Sequence, residues 1–501
     1  MMTINQTAPW KKLQAQAQIK RQTDAIEKEL TSTESAFLNT QKNIEACGLT
    51  LDFSHQNIHS HIFTELLNLT TTAHLKDHIT QLFSGGIVNL SQNKPALHTA
   101  LRAPASHTIQ VNHENIMQLV TETRSRISHL AEKIRSHAWR GHNGQAITDI
   151  VNIGIGGSDL GPKFCLKALS EFTANEFNYH FISDADPFAL ETTLARLNPD
   201  TVLFIVSSKS FTTQETMLNA QLAIAWMGHR PLEQHFIAVT ANHEAARQYG
   251  IQTILPIWSW IGGRYSVCSA INLITAIAIG ADHFNAFLNG AYAMDQHFAT
   301  TPFHRNLPVL LALIGIWNSN FLDINNLLML TYSNRLSYFT NYVQQLDMES
   351  NGKSIDNEGR PTDYSTGPIV WGGCGNQAQH SYYQLLCQGT QAVTIDFITM
   401  NTPENRILNG FCKAKMQALS EGISNQTTPR DIVRGQIPFN HLSLTACTPE
   451  VIGALLALYE HKIFTQSVIW NINPFDQPGV DSSKSIQRAC TATPEQNITY
   501  A

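Results

Sequence analysis

Residues 150–162 read IVNIGIGGSDLGP and residues 202–216 read VLFIVSSKSFTTQET. Each is a short apolar run that breaks at a turn rich in glycine or hydroxyls and then passes into a segment of helical character. The same pattern recurs along the neighbouring chain and predicts strands at Ile150–Ile155, Tyr179–Ile182, Val202–Val206, Phe236–Val239 and Thr253–Ile257, the first four each followed by a helix. Strands alternating with helices predict a parallel sheet covered on both faces. In such sheets ligands bind at the carboxyl ends of strands, where loops run into helix N-termini. GIGGSDLGP (154–162) and SSKSFTTQET (207–216) are therefore the loops that matter.

Working outward, the stretch from Ala281 to about Gln345 reads as largely helical. IVWGGCGNQAQH (369–380) then reads as a strand with a Gly-rich loop, and further strands are expected at Ala392–Ile398 and Val468–Ile472. This predicts a second, less regular α/β unit. Upstream, residues 10–50 read as an amphipathic helical lead-in, and Gly85–Pro104 as a turn-rich hairpin entering a helix. The apolar stretches Ala270–Ala281 and Leu307–Trp317 are shorter than the roughly 20 residues a membrane helix needs. They read as buried helices.

Composition narrows the function classes. The 501 residues are 43% hydrophobic and 14% charged, with 33 Lys and Arg against 39 Asp and Glu for a net charge of −6. Such a balance creates no whole-protein field for nucleic acid or an anionic membrane. Eight cysteines stand singly with no C-x-x-C pair, which suits a reducing cytosol rather than a disulfide framework or Cys-based zinc site. The N-terminus has no apolar core of a secretory signal. The 21 histidines admit a metal cluster or a neutral surface. His55, His59 and His61 are the densest group, with only Asp52 nearby, and no H-E-x-x-H occurs. Chemistry without a metal is favoured.

In Ser208-Lys209-Ser210-Phe211-Thr212-Thr213, hydroxyls, backbone N–H groups and one cation gather at a helix N-terminus, where an anion such as phosphate is favoured. Thr212 and Glu215 also have the S/T-x-x-E spacing of a capping box, which needs no ligand. Both readings stay open. The loop at 154–162 lets a ligand approach backbone closely, but Asp159 occupies the third glycine position of G-x-G-x-x-G, no Gly-Lys-Ser/Thr follows, and the spacing misses the nucleophile elbow. A tight strand-to-helix turn explains those glycines equally well. Arg264 follows two glycines in GGRYS, as a partner for a developing oxyanion would. Glu349 in QQLDMESNGK (344–353) is either a general base or the solvated end of a helix stopped at Gly352. His380 opens a helix after the Gly-rich loop of the second unit. Gln477 and Lys484 sit in the turn-rich FDQPGVDSSK (475–484).

Taken in order, GIGGSDLGP, SSKSFTTQET, WIGGRYS, QQLDMESNGK, QHSYYQLLCQGT and FDQPGVDSSK, with LHTALR at Leu97–Arg102 upstream, resemble the phosphoglucose isomerase family. The resemblance implies an α/β fold of two αβα sugar-isomerase (SIS) domains with parallel-rich sheets, a helical N-terminal region and a C-terminal arm. On that pattern, 1–115 would be the helical N-terminal region with its short hairpin, 116–290 the first SIS domain, and 291–501 the second with the arm. It implies interconversion of D-glucose 6-phosphate and D-fructose 6-phosphate with no cofactor or metal, in glycolysis and gluconeogenesis, by a cytoplasmic homodimer that has no nucleic-acid or membrane partner. By resemblance, Gly157, Ser158, Ser208, Lys209, Ser210 and Thr213 would cradle the phosphate, and Gln345 and Gln477 would hold hydroxyls. Glu349 would move a proton between C2 and C1 through a cis-enediol, Arg264 would stabilise the developing negative charge, and His380, from the partner subunit, would open the ring with Lys484. The chain departs from the family pattern at Ser210 (usually threonine), at GNQAQH (375–380; usually GTNGQH), at GVDSSK (479–484; usually GVELGK) and at Cys387 (often histidine). No proposed catalytic group is deleted. A non-catalytic sugar-phosphate sensor would need the Ser208–Thr213 cradle but not Glu349, Arg264, His380 and Lys484 together. A serine hydrolase built on Ser158 lacks the required spacing.

Overall fold

One sheet consists of five parallel strands in the order Asn178–Ile182, Asp149–Ile153, Val202–Ser207, Phe236–Thr240 and Thr253–Pro256. Val202–Ser207 and Phe236–Thr240 are buried at every position, as strands covered on both faces are. The helices Leu160–Ala168, Pro187–Leu194, Gln214–Met227 and His243–Gln248 follow the first four strands in chain order. Each of the five strands predicted for this sheet lies within two residues of its observed bounds. From Asp149–Ile153 the chain adds Asn178–Ile182 on one side, then returns to add Val202–Ser207 on the other. The loops after these two central strands therefore meet at the point where strand order reverses, the usual ligand position in such sheets.

The computed structural model describes residues 3–23, 43–423 and 428–491. A second sheet has six strands in the order Asn43–Ala46, Leu49–Asp52, Phe439–Leu444, Thr394–Met400, Asn326–Thr331 and Ile369–Cys374. The last four are mutually parallel, and the Asn43–Asp52 hairpin pairs antiparallel onto Phe439–Leu444. These two parallel-rich sheets flanked by helices are the α/β architecture that the sequence predicts.

Several expectations are corrected. Val468–Ile472 is no strand: the helix Pro449–Ile469 runs into it and Trp470 is its C-cap. Asn326–Thr331, within the stretch expected to be helical, is a central strand, and Phe439–Leu444 is a strand with no counterpart among those expected. The lead-in is helical over Ala8–Thr23, residues 24–42 lie outside the described residues, and the segment from Asn43 to Asp52 is a β-hairpin. Gly85–Pro104 contains one bridging pair, Asn89 with Lys94, and 3₁₀ turns at Leu90–Gln92 and Ala100–Arg102. Leu273–Ile279 and Leu307–Ile316 are the expected buried helices. Among the described residues no helix is long and apolar enough to cross a membrane.

The core holds an ionic cluster. Arg102 donates from Nε and Nη2 to the Asp295 carboxylate at 2.8 and 2.7 Å, and from Nη1 to Glu460 at 2.6 Å. His461 Nε2 lies 2.6 Å from the same Asp295. All four side chains are at most 1% exposed. They tie the turn Ala100–Arg102 to the helices Ala281–Thr300 and Pro449–Ile469.

Candidate active site

The loop after Asp149–Ile153 turns through a 3₁₀ segment, Gly156–Ser158, into the helix Leu160–Ala168. Asn152 Nδ2 donates to the Ser158 carbonyl at 3.0 Å, fastening the turn to its own strand. Gly157 has a steric cause: a Cβ there would stand 2.1 Å from the Gly263 carbonyl oxygen, so this loop and the Gly263–Tyr265 turn touch backbone to backbone. The neighbouring Gly156 has φ +60° and would place a Cβ 2.9 Å from Gln345 Nε2. Three sequence motifs therefore meet here: GIGGSDLGP, WIGGRYS and QQLDMESNGK.

The Ser208–Thr213 loop is shaped by its own hydroxyls. Ser208 Oγ lies 3.2 Å from Thr213 Oγ1 and accepts the Phe211 N–H at 3.2 Å, while Phe211 itself adopts φ +55°. The capping box is not formed. Thr213, not Thr212, is the N-cap of Gln214–Met227, its side chain makes no capping hydrogen bond, and Thr212 Oγ1 donates to Ser210 Oγ at 2.8 Å. The positive end of the helix dipole at Gln214 favours an anion beside this loop. Lys209 Nζ donates to the Ile261 carbonyl at 3.0 Å. Burial lowers the Lys209 pKa, and the nearby cations Lys94 and Arg264 add to the effect.

Arg264 is the most constrained group of the site. Its Nε donates to Ser350 Oγ at 2.6 Å, Nη2 to the carbonyls of Pro474 and Asp476 at 2.6 and 2.8 Å, and Nη1 to Gln477 Oε1 at 3.1 Å. Nη1 also stands 3.5 Å from Glu349 Oε2, with side-chain exposures of 2% for the arginine and 22% for the glutamate. Gln345 and Glu349 lie one turn apart on the helix Phe339–Asn351 and so share a face. Gln345 reaches the Gly156 turn and Glu349 reaches Arg264. Glu349 and Gln477 both line a cleft of about 560 Å³ that Ser91, Lys353, Asp476 and Val480 also border.

The structure brings Gly157, Ser158, Arg264, Gln345, Glu349 and Gln477 into one contiguous region, with Lys209 joined to it through Ile261. His380 is exposed and follows the short turn Gly375–Ala378, its N–H bonded to the Gln377 carbonyl. Lys484 is exposed on the helix Pro478–Thr491. Its spacing from Gln477 and Asp481 puts it on their face of that helix. Among the described residues no group of three or more His, Cys, Asp or Glu side chains is placed to hold a metal ion.

A profile of the phosphoglucose isomerase family matches residues 52–500. The chain belongs to that family. It is similar to the glucose-6-phosphate isomerase of Legionella pneumophila strain Philadelphia 1, with 56% identity over 445 residues covering 89% of each chain. It is also similar to glucose-6-phosphate isomerase 2 of Pseudomonas putida, with 43% identity over 475 residues covering 89% of this chain and 86% of that one. The crystal structure of a glucose-6-phosphate isomerase from Chlamydia trachomatis matches with a TM-score of 0.88 and 29% identity, over 99% of this chain and 98% of that one.

Within this phosphoglucose isomerase framework, the sequence singles out Gln477 among the groups that hold Arg264, but not Ser350 or the carbonyls of Pro474 and Asp476. Lys353 Nζ joins this set at one remove: it shares the Asp476 carbonyl with Arg264 Nη2 and also bonds the Asn473 carbonyl. One signal was present, a lysine placed just beyond a helix end where its ammonium reaches the last carbonyls.

Proposed function

We propose that this chain interconverts D-glucose 6-phosphate and D-fructose 6-phosphate without a metal, by ring opening and proton transfer through a cis-enediol. The observation that carries this reading is Glu349, a carboxylate in a cleft, 3.5 Å from an arginine whose remaining donors are already engaged. Gly157, Ser158, Ser208, Lys209, Ser210 and Thr213 hold the phosphate, aided by the dipole at the start of Gln214–Met227. That contribution is orientation: it delivers the sugar carbon to the carboxylate in one geometry. Gln345 and Gln477 hold hydroxyls of the open chain.

Lys484 and His380 of the partner subunit exchange the protons at O1 and the ring oxygen, so that ring opening leaves a free carbonyl. Glu349 then takes the proton from C2 of the aldose. The electron pair of that C–H bond forms the C1–C2 double bond, and the carbonyl π pair moves to oxygen. A proton passes from the O2 hydroxyl to O1, and as the C2–O2 carbonyl forms the C1–C2 π pair takes the proton back at C1, which completes the ketose. Arg264 faces the charge that develops on the enediol oxygens, and one fixed donor of this kind supplies about 3 kcal/mol to such a step. Ser350 and the carbonyls of Pro474 and Asp476 hold the guanidinium before substrate arrives, so little reorganisation accompanies the reaction.

The same proposal divides the chain at 115 and 290 into a helical N-terminal region and two SIS domains, makes it a homodimer, and locates it in the cytoplasm. The free state of seven cysteines among the described residues suits that compartment. The test is incubation of the purified protein with fructose 6-phosphate in EDTA, with glucose 6-phosphate read through a coupled dehydrogenase. Product forms at an undiminished rate, and in deuterium oxide the product carries solvent deuterium at C2. No product overturns the assignment, activity lost to EDTA overturns the metal-free reading, and complete retention of hydrogen indicates a hydride shift.

A further inference from the structure

Lys353 is a largely buried cation, its side chain 11% exposed, that the steps above do not use. Its Nζ lies 3.0 and 2.8 Å from the carbonyls of Glu349 and Ser350, at the end of the helix Phe339–Asn351. It lies 3.0 and 3.1 Å from the carbonyls of Asn473 and Asp476, and 3.3 Å from Asp476 Oδ1. The last carbonyls of a helix need partners from outside the helix. Here no left-handed glycine closes the end, since the C-cap Gly352 has φ −72°. The ammonium meets that need and at the same time grips a turn over 120 residues away in the chain.

That turn is the one that holds Arg264. The Asp476 carbonyl accepts from both Lys353 Nζ and Arg264 Nη2, and Gln477 follows immediately. We propose that Lys353 is a positioning residue for the isomerisation: its ammonium fastens the helix that carries Glu349 to the turn that orients Arg264 and Gln477, and so sets base and guanidinium in register. This inference rests on the isomerase reading above.

Three charged groups face Lys353. Asp476 comes from the turn, Glu349 from the helix, and Arg264 from the Gly263–Tyr265 segment; Asp356 also borders the cleft and is engaged by Arg360. Burial pulls the Lys353 ammonium down to about 8, with Arg264 adding to the effect and Asp476 and Glu349 opposing it. A neutral amine has only two N–H donors and no charge for this set of oxygens, so the staple weakens as pH rises through that value.

The test follows kcat and KM for fructose 6-phosphate from neutral to alkaline pH in the full-length wild type, Lys353→Met and Lys353→Arg. Hydrogen exchange of the Asn473, Phe475, Asp476 and Gln477 amides is measured in parallel. Wild-type kcat falls on the alkaline side near the Lys353 pKa. Lys353→Met lowers kcat at neutral pH by about 10–100-fold, the scale of a small misplacement of reacting groups, with KM nearly unchanged. Lys353→Arg, which keeps its charge, retains more of the rate and moves the alkaline limb upward. Exchange at these amides accelerates in Lys353→Met and, in the wild type, above the Lys353 pKa beyond the intrinsic chemical rate. A Lys353→Met kcat close to wild type, or an alkaline limb unmoved in Lys353→Arg, overturns the inference. If Lys353→Met does not fold, the arginine variant and the wild-type exchange profile decide the matter. A wild type with no isomerase activity overturns the functional reading instead, and hydrogen exchange then judges the staple by itself.

Discussion

Glu349→Gln is expected to lower kcat by about 10²–10⁴-fold, the range for loss of a positioned general base, while affinity for a phosphorylated sugar-acid inhibitor stays nearly unchanged. The amide keeps the shape of the carboxylate but cannot take the C2 proton at neutral pH. Arg264 stays in place because it does not depend on Glu349. Its bonds to Ser350, Pro474, Asp476 and Gln477 are 2.6–3.1 Å, against 3.5 Å to the glutamate. The loops proposed to hold the phosphate meet this helix through Gly156 and Gln345, so the binding of an inhibitor is expected to stay intact. Steady-state kinetics and calorimetric titration of the inhibitor separate the two effects. A fall in kcat with retained affinity marks a group that acts in the transition state. Equal losses of rate and affinity would make Glu349 a structural residue of the helix end. Exchange of the substrate C2 hydrogen with solvent should fall in parallel with kcat, since one carboxylate serves both.

The first sheet was readable because its strands are apolar runs flanked by polar turns, and the strand-end loops announce the site. The second sheet was harder for physical reasons. Asn326–Thr331 is NLLMLT, made of leucine and methionine, good helix formers without a β-branched residue until its last position. Phe439–Leu444 is FNHLSL and lacks valine and isoleucine altogether. The Asn43–Asp52 hairpin turns at Cys47 and Gly48, both with positive φ, a two-residue turn whose commonest signal is Asn-Gly or Asp-Gly. The helix Pro449–Ile469 is buried along nearly its whole length. It shows no polar face, and its end beside Val468 and Ile469 looks like the start of a strand. In the candidate site, residues whose proposed chemistry stands in one motif were legible as candidates: Glu349, Arg264, and the hydroxyls of 208–213. Lys353 was not, because its role depends on carbonyls of Asn473 and Asp476 from the far end of the chain.

Arg102→Met is expected to destabilise the fold by about 3–5 kcal/mol, the cost of breaking a buried ion pair from one side. The substitution preserves much of the side-chain volume, so the loss is electrostatic rather than a cavity. It leaves Asp295 and Glu460 buried without the cation that pairs them. Their protonation then governs the size of the deficit. Burial already raises Glu460 to about 7 against the lowering influence of Arg102, and removing the arginine pushes it further up. Burial also acts to raise Asp295, which Arg102 and His461 together bring below its usual range, so its pKa too moves up in the variant. Burial lowers His461, with Arg102 adding to that shift, and loss of the arginine lets the imidazole take a proton more readily beside Asp295. All three changes have one sign: on these groups the folded variant holds more protons than the folded wild type, so its deficit relative to the wild type grows as pH rises from the ordinary carboxyl range through neutrality. Denaturant unfolding should therefore give a smaller deficit at pH 6 than at pH 8. Adding Glu460→Gln to Arg102→Met should recover part of the loss, most strongly at pH 8, where the bare carboxylate is costliest. A deficit independent of pH, or no recovery in the double variant, would mean that Arg102 stabilises by packing its stem rather than by neutralising the two buried acids.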